Sequence, residues 1–230
     1  MEIALQLDRL GVDVLEVGFP TASEGELNAV KKLAKAGLNA EICALARVLK
    51  SDIDVAMACE VDSIHVFAPT SNIQIKHVLN KTPEQVLKEI DESVRYVKAH
   101  GFICEFSPMD ATRTEINYLK KVCVTAQNAG ADRINVPDTV GIMSPPSMKK
   151  FIEELREVVK VPISVHCHND FGLAVANSLA GVDGGATQVH VTVNGIGERA
   201  GNAALEEVVM ALHVVYKKKT KINTKLLYET

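Results

Sequence analysis

The chain has no tryptophan, and Phe and Tyr add only 10 aromatic residues among 230. It also has no surplus of basic charge: 25 Lys and Arg stand against 29 Asp and Glu, a net charge of −4. A mildly acidic chain poor in aromatic side chains is not built to track a phosphate backbone, so a nucleic-acid partner is excluded. No apolar run approaches the roughly 18 residues that a membrane-spanning helix needs. The opening stretch MEIALQLDRL mixes charges with apolar residues and does not read as a signal peptide. No Cys-x-x-Cys occurs, and the five cysteines (Cys43, Cys59, Cys104, Cys123 and Cys167) are odd in number. That argues against a disulfide framework or a zinc ribbon, and for buried thiols in a reducing, cytoplasmic setting. No Pro/Ser-rich linker or charge block divides the sequence, so residues 1–230 are read as one domain.

What is present is a repeat of short β-branched runs, turns and amphipathic helices. The 47% hydrophobic content is enough to fill a sizeable core. Strands are predicted at 12–19, 39–45, 61–67, 102–107, 132–136, 162–166 and 188–193. Most are almost continuously apolar, as parallel strands covered on both faces should be. Helices are predicted near 1–10, 24–36, 51–59, 83–99, 115–129, 145–159, 171–184 and 203–216. Thr82-Pro83 and Pro145-Pro146 look like helix starts, and Gly37, Gly101 and Gly130 like helix ends. The alternation implies an α/β fold with a parallel sheet. Seven strands against eight helices suit either a doubly wound sheet or a (β/α)8 barrel whose first strand is missing.

The chemistry clusters at strand ends. His166-Cys167-His168-Asn169-Asp170 closes the sixth predicted strand. Side chains alternate along a strand, so His166 and His168 share a face while Cys167 points the other way into the wall. Two imidazoles on one face can grip a divalent cation, and parallel folds place their sites at this end. After the last strand comes Asn194-Gly-Ile-Gly-Glu-Arg-Ala-Gly-Asn202, a glycine-rich turn whose spacing is not the dinucleotide fingerprint. Either its glycines bring backbone N–H groups up to an anionic ligand, or it is a capped turn in which Glu198 and Arg199 pair with each other. Asn202 is either an N-cap or a donor to a metal. Glu16, Arg47, His65, Glu105, Asn135, Asp138 and Thr139 place polar groups on strand after strand, and in a closed sheet they would converge on one mouth. Glu16 and Glu105 lie in apolar runs and need partners, because a buried unpaired carboxylate is costly. Asp132 and Arg133 are read as a surface ion pair, His77, His100 and His213 as surface residues, and His190 stays ambiguous.

The segments EVGFP (16–20), ALAR (44–47), EFSPMDATRT (105–114), INVPDTVG (134–141), SVHCHNDFGLAVAN (164–177) and NGIGERAGNAALEEVV (194–209) resemble, in order, the group of 2-isopropylmalate, citramalate and homocitrate synthases within the metal-dependent DRE-TIM family. The resemblance implies a TIM barrel that joins acetyl-CoA to a 2-oxo acid, with 3-methyl-2-oxobutanoate the favoured acid and citramalate or homocitrate synthesis the alternatives. It implies a divalent metal (Mg2+, Mn2+ or Zn2+) on His166 and His168, with Asn202 as a nearer or outer ligand. Glu105 matches a carboxylate in acid–base work. Thr139 matches a hydroxyl contacting the oxo acid, His65 and Glu16 line its pocket, and Arg47 joins them as a substrate-binding candidate. A homodimer is expected.

One family feature has no match. The family's opening strand ends D-x-x-x-R-D-G and supplies a metal-ligating Asp and an Arg. Here Asp8-Arg9 runs into Leu10, and Asp132-Arg133 into Ile134. The expectation is therefore a barrel without its first strand and without the C-terminal regulatory domain of longer members. Such a chain is either a shortened synthase or a non-catalytic barrel. A lyase of the same superfamily ranks behind both.

Overall fold

The computed structural model describes all 230 residues, Met1–Thr230. Seven strands alternate with nine α-helices: α1 (Glu2–Leu10), β1 (Val14–Glu16), α2 (Glu24–Ala34), β2 (Glu41–Arg47), α3 (Lys50–Met57), β3 (Ser63–Pro69), α4 (Asn72–Gln74), α5 (Pro83–Ala99), β4 (Ile103–Met109), α6 (Ile116–Ala129), β5 (Arg133–Asp138), α7 (Pro145–Arg156), β6 (Ile163–Cys167), α8 (Ala174–Asp183), β7 (Gln188–His190) and α9 (Leu205–Met210). All strands are parallel, and each pairs with its sequence neighbour in the order β1 to β7.

Local signals set the helix ends. Thr82 accepts from the backbone N–H of Gln85, whose side chain returns the bond, and Pro83 fills the first turn of α5. Gly130 ends α6 with φ 108°, a conformation open to glycine but not to residues with a Cβ. The ninth helix, α4, is not legible in the sequence. It is three residues long, runs into a π-helical turn at Ile75–Leu79, and carries no apolar period to read. β1 and β7 are shorter than predicted, and each is hydrogen-bonded along one edge only.

Alternation sorts every strand into two faces. Outward residues such as Ile42, Ala44, Ile64, Val66, Phe106, Ile134, Val136 and Val165 join the helices in a core of 43 buried residues. Inward residues are largely polar. They bond across the sheet between strands that are not neighbours: His65 on β3 to Glu16 on β1, Arg133 on β5 to Glu41 on β2, and His190 on β7 to Glu105 on β4. Such bonds require the sheet to curl into a barrel-like trough. β1 and β7 do not pair with each other. Between them opens a cavity of about 770 Å³, lined by Val14 and Val189 and reaching Glu41 and Arg133. On the outside, Leu10 of α1 packs against Leu205 and Val209 of α9, so the helical layer closes where the sheet does not.

The predicted Asp132–Arg133 surface pair does not form. Asp132 turns outward to Lys98 (2.7 Å) and the Cys104 N–H (2.7 Å). Arg133 turns into the barrel, where two carboxylates compete for its guanidinium. Adjacent residues of a strand face opposite ways, so the two could not share a side once β5 began at Arg133.

Candidate metal centre and active site

The upper site is built on the C-terminal end of β6. His166 and His168 face the trough together, with their Nε2 atoms 3.3 Å apart. Cys167 turns outward into the apolar core, and burial pushes its thiol up to about 12. The loop after β7 returns to β6 and pairs Asn202 beside His168 in an antiparallel bridge. The Asn202 amide then sits 3.2 Å from His166 Nε2. Asn202 is not the N-cap of α9, a position held by Ala204.

Electrostatics favour the ligand form of both rings. Burial, reinforced by His190 and His168, lowers His166 to about 3, and burial together with Arg199 lowers His168. Neutral imidazoles are what a cation requires. His168 Nδ1 and Asn202 Oδ1 are buried without a partner. Two imidazole nitrogens at this separation, with an amide beside them, match the span of two ligands each about 2.1 Å from one divalent ion. The donor set therefore fits a cation, with no third His, Cys, Asp or Glu joining it.

Beneath the histidines lies a connected polar interior. His65 donates or accepts at both nitrogens, to Glu16 (2.5 Å) and to Ser107 (2.6 Å), and Asn135 donates to the same Ser107 hydroxyl at 2.7 Å. Burial works against the charged His65 ring, but Glu16 outweighs it and raises the pKa; reciprocally, burial raises Glu16, and His65 more than reverses that. Glu105 is 1% exposed. Its Oε1 accepts from Ser164 (2.8 Å) and meets His190 Nε2 (3.0 Å), while its Oε2 accepts from Arg133 (3.2 Å). Burial pushes this carboxyl up, yet His190, His65 and Arg133 together hold it well below the usual range.

The remaining candidates lie on the rim. Thr139 Oγ1 accepts from the Asp110 N–H at 2.9 Å, and its carbonyl accepts from Arg199 at 2.7 Å. Arg47 is clamped by Asp52 (2.6 and 3.0 Å) and lies 5.8 Å over the Phe19 ring, on the β1–β2 side of the mouth. Asp138 is spent on Thr112 and on the N–H groups of Ile142 and Met143. Arg199 does not pair chiefly with Glu198, 3.9 Å away; it forks onto Asp170 with two bonds of 2.8 Å. His77, His100 and His213 are exposed.

Two interior residues are not evident from the sequence. Its pattern puts Arg133 on the surface and leaves His190 ambiguous, although the His190 ring stands 5.7 Å from that of His65 and 5.6 Å from that of His166. The parity of β7 would place His190 inside, were the inward face of that strand known.

Comparison with known proteins fits this architecture. The HMGL-like family profile matches residues 1–230. A probable 2-isopropylmalate synthase from Archaeoglobus fulgidus is 55% identical over 230 residues, which cover 100% of this chain and 46% of that protein. The 2-isopropylmalate synthase of Methanocaldococcus jannaschii is 58% identical over 229 residues, covering 100% of this chain and 44% of that protein. The (R)-citramalate synthase CimA of the same organism is 52% identical over 229 residues, covering 100% and 47%. The chain thus spans a little under half the length of these relatives. Among solved structures, the HMG-CoA lyase of Brucella melitensis superposes with a TM-score of 0.84 at 17% identity, over 99% of this chain and 86% of that one. At that identity the likeness speaks for the fold.

Proposed function

The chain belongs to the HMGL-like family, and on that footing we propose that its trough holds a 2-oxo acid at a divalent cation and joins it to the acetyl group of acetyl-CoA. The favoured acid is 3-methyl-2-oxobutanoate, giving 2-isopropylmalate; pyruvate and 2-oxoglutarate are the alternatives that the citramalate and homocitrate synthase relatives bring in. The observation that carries the reading is the convergence at the strand ends, where His166 Nε2 lies 3.3 Å from His168 Nε2 and 3.2 Å from the Asn202 amide.

His166, His168 and Asn202 would hold the cation, which when bound supplies a Lewis acid that draws electron density from the oxo-acid carbonyl. The protein's own groups do the rest. Both imidazoles are kept neutral by burial and so remain available as donors. The Glu16–His65–Ser107–Asn135 chain is a fixed polar wall below them and fixes the orientation of whatever enters. Glu105 works as a held anion. Three donors surround it, so a proton it exchanges passes through His190, whose ring adjoins His166. Thr139 and Arg47 are the rim contacts for substrate.

The test is an assay of the 230-residue chain with acetyl-CoA, Mg2+, Mn2+ or Zn2+, and each of the three oxo acids, following free CoA thiol. Release that depends on 3-methyl-2-oxobutanoate is expected. Metal-loaded protein that releases no thiol with any acid would rule the reading out. A second reading, a barrel that binds the cation without turnover, is favoured by one observation: the donors are two neutral rings and an amide, with no carboxylate among them. Cation binding without thiol release is its signature.

A further inference from the structure

We infer that Arg199 is a positioning residue that clasps the mouth loops and thereby holds Asn202 against the histidine pair. This deepens the reading of His166, His168 and Asn202 as one cation site and rests on it.

Arg199 sits at φ 55°, in the left-handed region that side-chain-bearing residues seldom adopt. Such a conformation persists where surrounding bonds over-determine it. Here they do. The guanidinium sends Nε to Asp170 Oδ1 and Nη2 to Asp170 Oδ2, both at 2.8 Å, and Nη2 also reaches the Thr139 carbonyl at 2.7 Å. One side chain therefore ties together the loops that follow β5, β6 and β7. The fork is the planar, two-point geometry that a carboxylate accepts from arginine and not from lysine.

Behind the clasp the loop is closed on itself. Gly201 N–H donates to the Glu198 carbonyl, Asn202 N–H to Gly195 and Asn169 N–H to Gly201, each at 2.9 Å. Gly197 lies so tightly on the Asn202 amide that no Cβ fits there. Asp170 is wedged in turn, because a Cβ on Gly141 would stand 2.6 Å from its Oδ2. Asp170 thus lies against Gly141 and Asn202 against Gly197, and the segment between Arg199 and Asn202 is two residues long. Freeing Arg199 frees the turn that presents Asn202.

Charge alone predicts the opposite effect. Arg199 is seated on Asp170, two residues from His168, so its positive charge also opposes a cation on that ring. Removing a mere neighbouring charge would tighten cation binding. Removing a clasp that places a donor weakens it. The sign of the change separates the two roles.

The experiment titrates Mn2+ into the full chain by calorimetry for wild type, Arg199→Ala, Arg199→Lys, Asn202→Ala and Arg199→Ala/Asn202→Ala, with circular dichroism as the check on folding. Arg199→Ala is expected to weaken binding about tenfold or more, the usual loss when a support behind a ligand goes. Arg199→Lys should recover little of it, and in the Asn202→Ala background Arg199→Ala should add nothing. A metal-free measurement accompanies it: amide exchange at Asn169, Asn202 and Ala203 should quicken in Arg199→Ala while the β4 amides keep wild-type rates. Unchanged or tighter Mn2+ binding with unchanged exchange would overturn the clasp. Should wild type bind no Mn2+ at all, the cation reading falls, and the exchange comparison alone then decides whether Arg199 holds Asn202 in place.

Discussion

Arg133 and Glu41 sit on strands that do not touch, β5 and β2, yet the guanidinium meets the carboxylate at 2.6 and 3.2 Å across the trough. The same side chain reaches Glu105 on the neighbouring strand at 3.2 Å. One cation so placed serves two carboxylates that the curled sheet has drawn inside.

Arg133→Met is expected to destabilise the chain strongly, by about 3–5 kcal/mol, because it leaves a buried charge without its partner. The double variant Arg133→Met/Glu105→Gln should regain part of the loss. Urea unfolding midpoints report both. A single variant within about 0.5 kcal/mol of wild type would show that the cluster is better solvated than its burial implies.

The Glu105 carboxyl is held below its unfolded value, near 4.3, so its contribution to stability is present above that pH and is lost as the pH falls through the folded value. His65 is shifted the other way. Its contribution is complete below about pH 6.5 and fades as the pH rises through the raised folded value. Metal-free protein should therefore lose stability on the acid side below about pH 4.3, and Glu105→Gln should flatten that limb while leaving the alkaline one. Parallel acid limbs in the two proteins would contradict the assignment.

Mn2+ or Zn2+ at a hundredfold excess over its Kd should raise stability by about 2.7 kcal/mol, since it binds the folded state alone. The effect should vanish in His166→Ala and persist below about pH 6.5, because burial keeps both rings neutral there, weakening only in more acid solution where proton and cation compete for the same nitrogens. Thermal melts with and without the metal test it.

Gly197→Ala should disturb the cation site and spare the fold. The new methyl overlaps the Asn202 amide, whereas the backbone at Gly197 needs no left-handed conformation. The expected outcome is weaker Mn2+ binding with a melting temperature near wild type.

Phe106→Ala should cost about 3–5 kcal/mol, the range for emptying a large aromatic site in a packed core. Phe106 is fully buried between β4 and the surrounding helices. A much smaller loss would mean the helices collapse into the space.

Part of the site is legible in the amino-acid sequence. Alternation along a strand is a local property, so spacing alone puts His166 and His168 on one face and Cys167 on the other. Glu16 and Glu105 stand out as carboxylates in need of partners, because an unpaired buried charge is costly wherever it lies. Their partners cannot be named from the sequence. His65, His190 and Arg133 are brought to them by the curl of the sheet. Chain proximity matches Arg199 to Glu198, yet the turn that gives it φ 55° carries it to Asp170 instead.

What the sequence determined by itself is the order of the strands and the longer helices, the parallel sense of the sheet, and which residues of a strand share a face. These follow from periodicity and from turn chemistry within a few residues. Tertiary structure alone decided which inward groups meet: Arg133 with Glu41, 92 residues away, and His190 with Glu105, 85 residues away. Such pairings depend on how far the sheet curls and how its strands are staggered. Those quantities are set by the packing of all the helices against it at once and are not written in any single segment.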